Sequence, residues 1–547
     1  MKKALALLLA LVMMIGLLAG CGTTTGGGEE PTATSDTFTM AYNGVVTLNS
    51  VMTQASNDHN VLYLLQTQLV RYYDGQVECD AAESYEMSDD ALTWTFHLRD
   101  GLVWSNGEAL TADDFVYGTR CLLDPELGSP QASSWFMIKN AEKFANGEVG
   151  WEEVGVKALD EKTVEFTLEN PLNSFDQTVA CKHIYPLNQA FVETVGVNNL
   201  GSSVDTILYS GGYTMTEWVL ESSITLEKNP AYWNAENQFP VQTIKLLEVE
   251  DPNTEVAMFE NGEVDAIEEM AAQYYDYLSD YLYEVNGGGF MFLWMNTTGG
   301  TSDESAKVMA NLNFRKALSY ALDREGICQA VNSANAAATQ PIDPNFPGLN
   351  GGSFVEEYPV ESTPTSGDVA KAQEYLAKAL EELGYTDASQ LPAMNIVTWD
   401  TAEQKTLGEA ITDQWKQNLG VNVQLEQYVI GTAIGKFYEK SYDIFLITWE
   451  TDVKPTDLLQ AMTTTGEANP GIWSDPEYDS LVAQAIAELD KEKQAELTQK
   501  AVQVFVDDTA IVPLFLEGSV HAKKEYVDGF VIGASDGFQF QNLVVNK

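Results

Sequence analysis

Basic residues are scarce. The 547-residue chain carries 29 Lys and Arg against 81 Asp and Glu, a formal charge of −52. A surface of that sign repels nucleic acid, which is excluded as an expected partner. Histidine is scarcer still: His59, His97, His183 and His521 lie far apart and make no metal-ligand spacing. The five cysteines include no CxxC pair, and the wide spacing of Cys79, Cys121, Cys181 and Cys328 gives no disulfide framework. Buried free thiols are the expectation for those four. No serine-nucleophile motif, histidine triad or phosphate-binding loop occurs. Acid pairs such as Asp113–Asp114 and Glu268–Glu269 are sequence neighbours, and adjacent acids do not face one another as acid–base partners must. Neither an enzyme nor a bound cofactor is expected.

Long apolar runs are also rare. Ala4 to Leu18 follows Lys2 and Lys3 and is short for a membrane span. Leu18-Ala19-Gly20-Cys21 comes next. Small residues before a cysteine resemble the bacterial lipobox, which implies that residues 1–20 are a signal peptide and that Cys21 is lipidated. A Gly- and Thr-rich stretch, residues 21–35, reads as a flexible tether. The expected location is extracytoplasmic, anchored by lipid to the outer face of the cytoplasmic membrane.

What is present is a chain long enough for two or three domains. The first half mixes short strands with single helices. Phe38, Met40 and Tyr42 alternate as in a strand, Asn60 to Leu69 has helical spacing, and Leu92 to Leu98 alternates cleanly. Thr111 precedes Asp113 and Asp114, a helix start in which acids meet the positive end of the dipole. Phe314 to Gln329 reads as one helix, and Phe290 to Met295 and Ala510 to Leu516 as buried strands. Residues 335–367 are irregular and too long for a simple connection. From Val369 on, helix and strand alternate: a helix to Leu383 stopped by Gly384, a strand at Met394–Trp399, a helix at Lys405–Gln417 and a strand at Val421–Gln427. This is the pattern of βαβ units in an α/β lobe.

One stretch points to binding. Ile444 to Trp449 is apolar and β-favouring. Asp452 follows three residues after the tryptophan, and Lys454-Pro455 ends the run. A carboxylate just past a buried strand and beside a large aromatic suits capture of a cationic group such as an amine. The same residues also read as a core tryptophan and a turn-capping aspartate.

The chain resembles the large solute-binding proteins of peptide ABC transporters, the oligopeptide- and dipeptide-binding family 5. Trp94 to Gly101 with Trp104-Ser105-Asn106-Gly107 and Thr111 to Phe115 is similar to that family's most recognisable block. Lys228 to Trp233, Phe314 to Leu318, Ala321 to Arg324 and Leu419-Gly420-Val421 match further stretches, and the segment ending at Asp452 is similar to the family's Trp-x-x-Asp. The resemblance implies an α/β, two-lobed periplasmic-binding-protein-like fold (type II, cluster C) with an extra α/β domain in the first lobe. The first lobe would comprise 36–58, 187–289 and 513–547, the extra domain 59–186, and the second lobe 290–512. It implies a monomer that closes over an oligopeptide and delivers it to the permease subunits of an ABC transporter.

Carried over residue by residue, Asp452 would receive the peptide ammonium. Thr448, Trp449 and Glu450 would pair with peptide backbone, as would Gln54, Ala55 and Ser56 from the first lobe. Trp294, Gln131 and Glu517 stand where the family has a glutamate and two tyrosines near the ligand. Leu446 and Phe437 stand where arginines can meet the far carboxylate, leaving Lys436 as the basic residue nearest in sequence. Gly289 and Glu450 occupy a possible disulfide position. Trp294, Trp449 and Phe515 could instead serve as aromatic platforms for an oligosaccharide, and His59 could serve a nickel or metal-chelate ligand; these are the alternatives within the family.

Cys21→Ala should move the protein from the membrane to the soluble fraction. Membrane association unchanged by the substitution would rule out lipid as the anchor.

Overall fold

The computed structural model describes residues 35–547 except 74–75, 345, 451–454, 467 and 534–536. Cys21 and Asp452 therefore lie outside the described residues. Among those described, no helix is long and apolar enough to cross a membrane.

The backbone of the molecule is one mixed sheet of eleven strands. One half is built on β1 (Thr37–Tyr42), which lies parallel to both β10 (Thr243–Glu248) and β11 (Ala266–Ile267). The hairpin β8 (Tyr213–Val219) and β9 (Ser223–Lys228) extends it beyond β10. The other half places β14 (Met394–Trp399) between and parallel to β15 (Val423–Tyr428) and β16 (Ile444–Glu450). Two long antiparallel strands join the halves: β12 (Leu282–Met295) and β17 (Ile511–Lys523), with the short β13 (Ala336–Ala337) also on β17. β16 pairs with β12, and β11 pairs with the far end of β17.

Outside this sheet, β2 (Val70–Tyr73) and β3 (Gln76–Cys79) form a hairpin, and β4 (Ala82–Met87), β5 (Thr93–Leu98), β6 (Val156–Asp160) and β7 (Thr163–Thr167) form an antiparallel sheet in the order β4-β5-β7-β6. β5 alternates as its sequence requires: Trp94, Phe96 and Leu98 are buried between half-buried Thr93, Thr95 and His97. Helix Ala112–Leu123 opens with a capping box, Thr111 and Asp114 serving each other's end of the first turn.

The apolar side chains divide along these lines. One cluster spans residues 51–184, a second draws on 38–65, 185–246 and 527–545, and two more flank the half-sheet of residues 290–516. Helix Ser56–Leu65 falls on the side not expected: Val61, Leu62, Leu64 and Leu65 pack with Phe38 and Leu246. The helix also starts four residues earlier than its periodicity suggests, which makes Ser56 its first residue and Ala55 its N-cap. The expected single helix 314–329 is two, Leu312–Tyr320 and Arg324–Val331. Asp323 breaks it by capping the second, its carboxylate accepting Gly326 N at 3.0 Å. The break turns buried Arg324 inward, where its guanidinium donates to Pro513 O and Ser319 Oγ. Cys79, Cys121, Cys181 and Cys328 are free thiols; Cys121 and Cys328 are buried as expected, whereas Cys79 and Cys181 are half-buried.

The residue 51–184 unit is tied to the main sheet by a buried ion pair. Asp80 Oδ2 accepts Arg71 Nε at 2.5 Å, Thr67 Oγ1 and Gln68 N, while Oδ1 accepts Tyr232 OH and Trp233 Nε1. Arg71 spends its other donors on Tyr63 O and Gln66 O. Burial alone would raise the Asp80 carboxyl, but Arg71 and the hydrogen bonds outweigh it and hold it below the ordinary carboxylate range. Asp80→Ala should leave Arg71 buried and unpaired and cost about 3–5 kcal/mol, read by calorimetric unfolding of wild type and variant. Because the Asp80 value is depressed, that contribution is complete above the unfolded carboxyl pKa of about 3.9 and is lost as pH falls through the folded value. A variant as stable as wild type at neutral pH would show that the pair holds nothing together.

Candidate functional site

The carboxyl ends of the parallel strands in both half-sheets are where ligands collect in open α/β sheets. Two segments there carry the expected ligand residues.

The first is the end of β16. In register, Glu450 lies opposite Gly289, Trp449 opposite Phe290 and Thr448 opposite Met291. Thr448 and Trp449 are both half-buried, the end of a strand whose Ile444–Ile447 portion is buried. Thr448 Oγ1 donates to Glu517 Oε1 at 2.6 Å, which links β16 to β17 across β12. The intervening residue must be glycine: a Cβ on Gly289 would sit 2.5 Å from Thr448 Cγ2 and 3.1 Å from Glu517 Oε2. Gly289 belongs to Gly287-Gly288-Gly289, and here the β12–β17 register shifts between Asn286 and Phe290.

The second is the approach to helix Ser56–Leu65, and its organiser is Asp58. This fully buried carboxylate accepts Val46 N at 2.7 Å, Thr47 N at 3.1 Å and Thr53 Oγ1 at 2.5 Å. Thr53 Oγ1 in turn accepts Ala55 N. From the neighbouring unit, Gln131 Nε2 donates to Thr53 O, Ser129 Oγ donates to Val51 O at 2.5 Å, and Pro130 O accepts Gln54 Nε2 at 3.4 Å. Gln54 and Ser56 are left exposed and Ala55 half-buried. The loop 51–56 is thus held by hydrogen bonds on both sides. Sequence reasoning passed over Asp58; its signal is an acid in the first turn of a helix, five residues after a threonine.

Packing encloses two expected ligand contacts, Trp294 and Phe515, and also Gln131, which stands where the family has a tyrosine. Trp294 is fully buried, its ring edge-on to Phe437 at 5.5 Å. Phe515 is buried in the cluster with Met291 and Leu446. Gln131 is buried and its amide is committed to Thr53. Trp294 and Phe515 present no surface to a ligand, because the interior positions of β12 and β17 face helices on either side of the sheet. Leu446 and Phe437 are likewise interior, while Lys436 Nζ sits 4.6 Å from the centre of the Tyr428 ring. Thr448 and Glu517 lie together, Trp449 and Glu450 follow Thr448 along β16, and Gln54, Ala55 and Ser56 form a separate group at the start of helix Ser56–Leu65.

His59 packs against His183 with the rings tilted and their centres 4.8 Å apart, and stacks on Tyr185 at 6.2 Å. Burial lowers the His59 imidazole to about 4 and drives His183 down as well, so both are neutral at physiological pH. Among the described residues no three His, Cys, Asp or Glu side chains gather as a metal site.

Acids crowd the carboxyl ends of β1 and β11. Glu268 accepts Asn43 N and Asn60 Nδ2, and Glu269 accepts Asn43 Nδ2. Burial pushes the Glu268 carboxyl up to about 7 against the opposing Asn43 hydrogen bond, with the Glu269 charge adding to the rise.

A family profile described as "Bacterial extracellular solute-binding proteins, family 5 Middle" matches residues 76–470. The oligopeptide-binding protein OppA of Bacillus subtilis is 31% identical over 482 residues, 86% of this chain and 85% of that protein. The fold is similar to that of Haemophilus influenzae OppA in complex with RPPGFSPFR, with a TM-score of 0.71, 26% identity and coverage of 94% and 99% of the two chains. It is also similar to the unliganded open form of MppA, a periplasmic murein tripeptide binding protein, with a TM-score of 0.78, 22% identity and coverage of 94% and 98%.

A folded-state pKa raised above the unfolded value favours folding below about 4.5 and loses that contribution as pH rises through about 7. Glu268→Gln keeps the shape and removes the titration. Without ligand, the variant should gain stability over wild type on going from pH 5 to pH 8, by roughly 3 kcal/mol at most. Denaturant unfolding at the two pH values measures it; an equal difference at both would mean that Glu268 is ionised throughout.

Proposed function

The chain belongs to the bacterial extracellular solute-binding proteins of family 5, and from that premise we propose that it captures oligopeptides between two lobes and delivers them to the membrane subunits of an ABC transporter. It is a binding protein and not an enzyme. The observation that carries the reading is the half-buried end of β16, braced by Thr448–Glu517 across Gly289, together with the anchored loop at Gln54–Ser56. An extended peptide offers main-chain donors and acceptors to such segments whatever its side chains are, so sequence preference stays loose. The relatives bearing peptide-binding names support the choice of peptide as ligand.

In this reading β12 and β17 are the hinge. The lobes comprise the two half-sheets, with the residue 59–186 region added to the first as an extra domain. Closure brings Gln54–Ser56 toward Thr448–Glu450 and excludes water. Asp452, just past β16, receives the peptide ammonium. Lipid on Cys21, with the residue 21–35 tether, holds the protein at the outer face of the membrane.

Asp452→Ala should strand that ammonium in a closed cleft, at a cost of about 2–5 kcal/mol, roughly two to three orders of magnitude in affinity. N-acetylated peptides should bind wild type poorly and lose little more to the variant. Calorimetry on the four combinations of protein and ligand forms a double-mutant cycle. Additive losses would remove Asp452 from the amine site, and no binding of any free peptide would overturn the peptide reading itself.

A further inference from the structure

Glu268 and Glu269 follow β11, and peptide capture by itself assigns them no part. Their contacts reach several elements. The Glu268 carboxylate accepts Asn43 N at 2.9 Å, from the loop that leaves β1, and Asn60 Nδ2 at 3.2 Å, from helix Ser56–Leu65. The Glu268 carbonyl oxygen accepts His521 Nδ1 of β17. Glu269 accepts Asn43 Nδ2 at 2.9 Å. The pair therefore joins the β1 loop, the helix that begins at Ser56, and one of the two strands that link the half-sheets.

The charge around Glu268 is of one sign. Glu255, on helix Pro252–Asn261, is buried like Glu268. Glu269 and Glu255 both act on Glu268, and Glu269 acts on Tyr275 together with Glu284 of β12. Tyr42 of β1 feels Glu268, Asp58 and Glu248. His521 is neutral, burial lowering its imidazole to about 4. Among the described residues, none of Glu255, Glu268, Glu269, Glu284 and Glu403 makes an ion pair. Burial pushes the Glu255 carboxyl up to about 7, with the charges of Glu269 and Asp251 adding to the rise. Two buried carboxyls, Glu255 and Glu268, thus titrate near neutrality in one cluster.

One acid reaches this cluster from the other half-sheet. Glu403 stands in the first turn of helix Ala402–Leu419, which follows β14. Surrounding protein raises its carboxyl, and the Glu269 charge raises it further. The Tyr275 hydroxyl, raised chiefly by burial, feels Glu269 and Glu403 together. β11 is antiparallel to β17, β17 to β12, and β12 to β16, while β14 is parallel to β16. The carboxyl ends of β11 and β14 therefore point toward each other, and hinge motion that narrows the gap carries Glu403 toward Glu268 and Glu269. Glu269 and Glu403 are exposed here, so solvent screens them. Closure removes solvent and strengthens repulsion between like charges. A proton on Glu268 relieves it at little structural cost. One carboxyl oxygen keeps Asn43 N, and the protonated one donates to the Asn60 amide oxygen once that amide flips.

Resting on the two-lobe peptide reading above, we propose that closure is coupled to uptake of a proton by Glu268, because closing brings Glu403 up to the Glu268–Glu269 pair. The coupling has a sign. A carboxyl whose pKa rises on closure holds more protons in the closed state, so peptide affinity grows as pH falls through 7. Capture is then strengthened by acid outside the cell without any titrating group touching the ligand.

Calorimetry of tetra-alanine binding to wild type, Glu268→Gln and Glu403→Gln tests this, in buffers of different ionisation enthalpy at pH 7. The slope of observed heat against buffer enthalpy counts the protons taken up. The ligand's own ammonium contributes equally to all three proteins, so the differences among them are the measurement. Wild type should take up about 0.2 to 0.5 proton more than Glu268→Gln, and should gain about 1.5- to threefold more affinity than that variant between pH 7 and pH 6. Glu403→Gln, at an exposed position, should remove about half or more of that extra uptake. Uptake that survives Glu268→Gln, or that Glu403→Gln leaves untouched, overturns the coupling while leaving peptide capture intact. Failure of tetra-alanine to bind wild type at either pH would overturn peptide capture, and the coupling with it.

Discussion

The pairing of β12 with β17 is the constraint on which everything else hangs. Their far ends, Leu282–Asn286 against Gly518–Ala522, belong with the β11–β1 half of the sheet, and their near ends, Phe290–Trp294 against Ile511–Leu516, with the β16–β14 half. A single ladder therefore serves two cores. Of its two register shifts, one falls between Met291 and Phe292 and the other between Asn286 and Phe290, on the run Gly287-Gly288-Gly289, with Gly287 at a φ of +132° that L side chains rarely adopt. Bulged, glycine-rich backbone is where a ladder bends most easily. Gly289 admits the Thr448–Glu517 contact, so the irregular point of the ladder and the end of the candidate ligand strand coincide.

Around that ladder the molecule places buried polar anchors. Asp58 ties Thr53 of the loop 51–56 to the backbone of Val46 and Thr47, and Gln131 and Ser129 clamp the loop from the other side. Asp80 and Arg71 weld the small sheet's unit to Tyr232 and Trp233. These buried networks define one arrangement of the backbone, because an alternative would leave charges unpaired in a low-dielectric interior. Binding segments held this way lose little entropy on meeting a ligand.

Much of the second half-sheet was legible in the sequence, because its strands are apolar, its helices periodic, and the end of the helix at Leu383 is marked by Gly384. What escaped was decided by pairing rather than by pattern. The polar, glycine-rich beginning of β12 has no strand periodicity, and its place in the sheet comes from β17 across the ladder. The end of the helix at Tyr320 has no glycine or proline to announce it; Asp323 and the burial of Arg324 impose it. The ligand residues divided in the same way. Thr448 and Trp449 sit at a strand end and could be placed by counting, whereas Trp294 and Phe515 sit within strands, where alternation sends every side chain to one face or the other and both faces are covered.

The interior placement of Trp294, Phe515, Leu446 and Phe437 has a chemical consequence. If the side chains at the family's charged or aromatic ligand positions are inside the core, contact with a ligand falls to backbone at the strand end, to the Thr448–Glu517 pair and to the rim. Under the peptide reading, recognition then falls to groups that any extended polar chain can satisfy, which favours ligands defined by their backbone over ligands defined by a particular sequence.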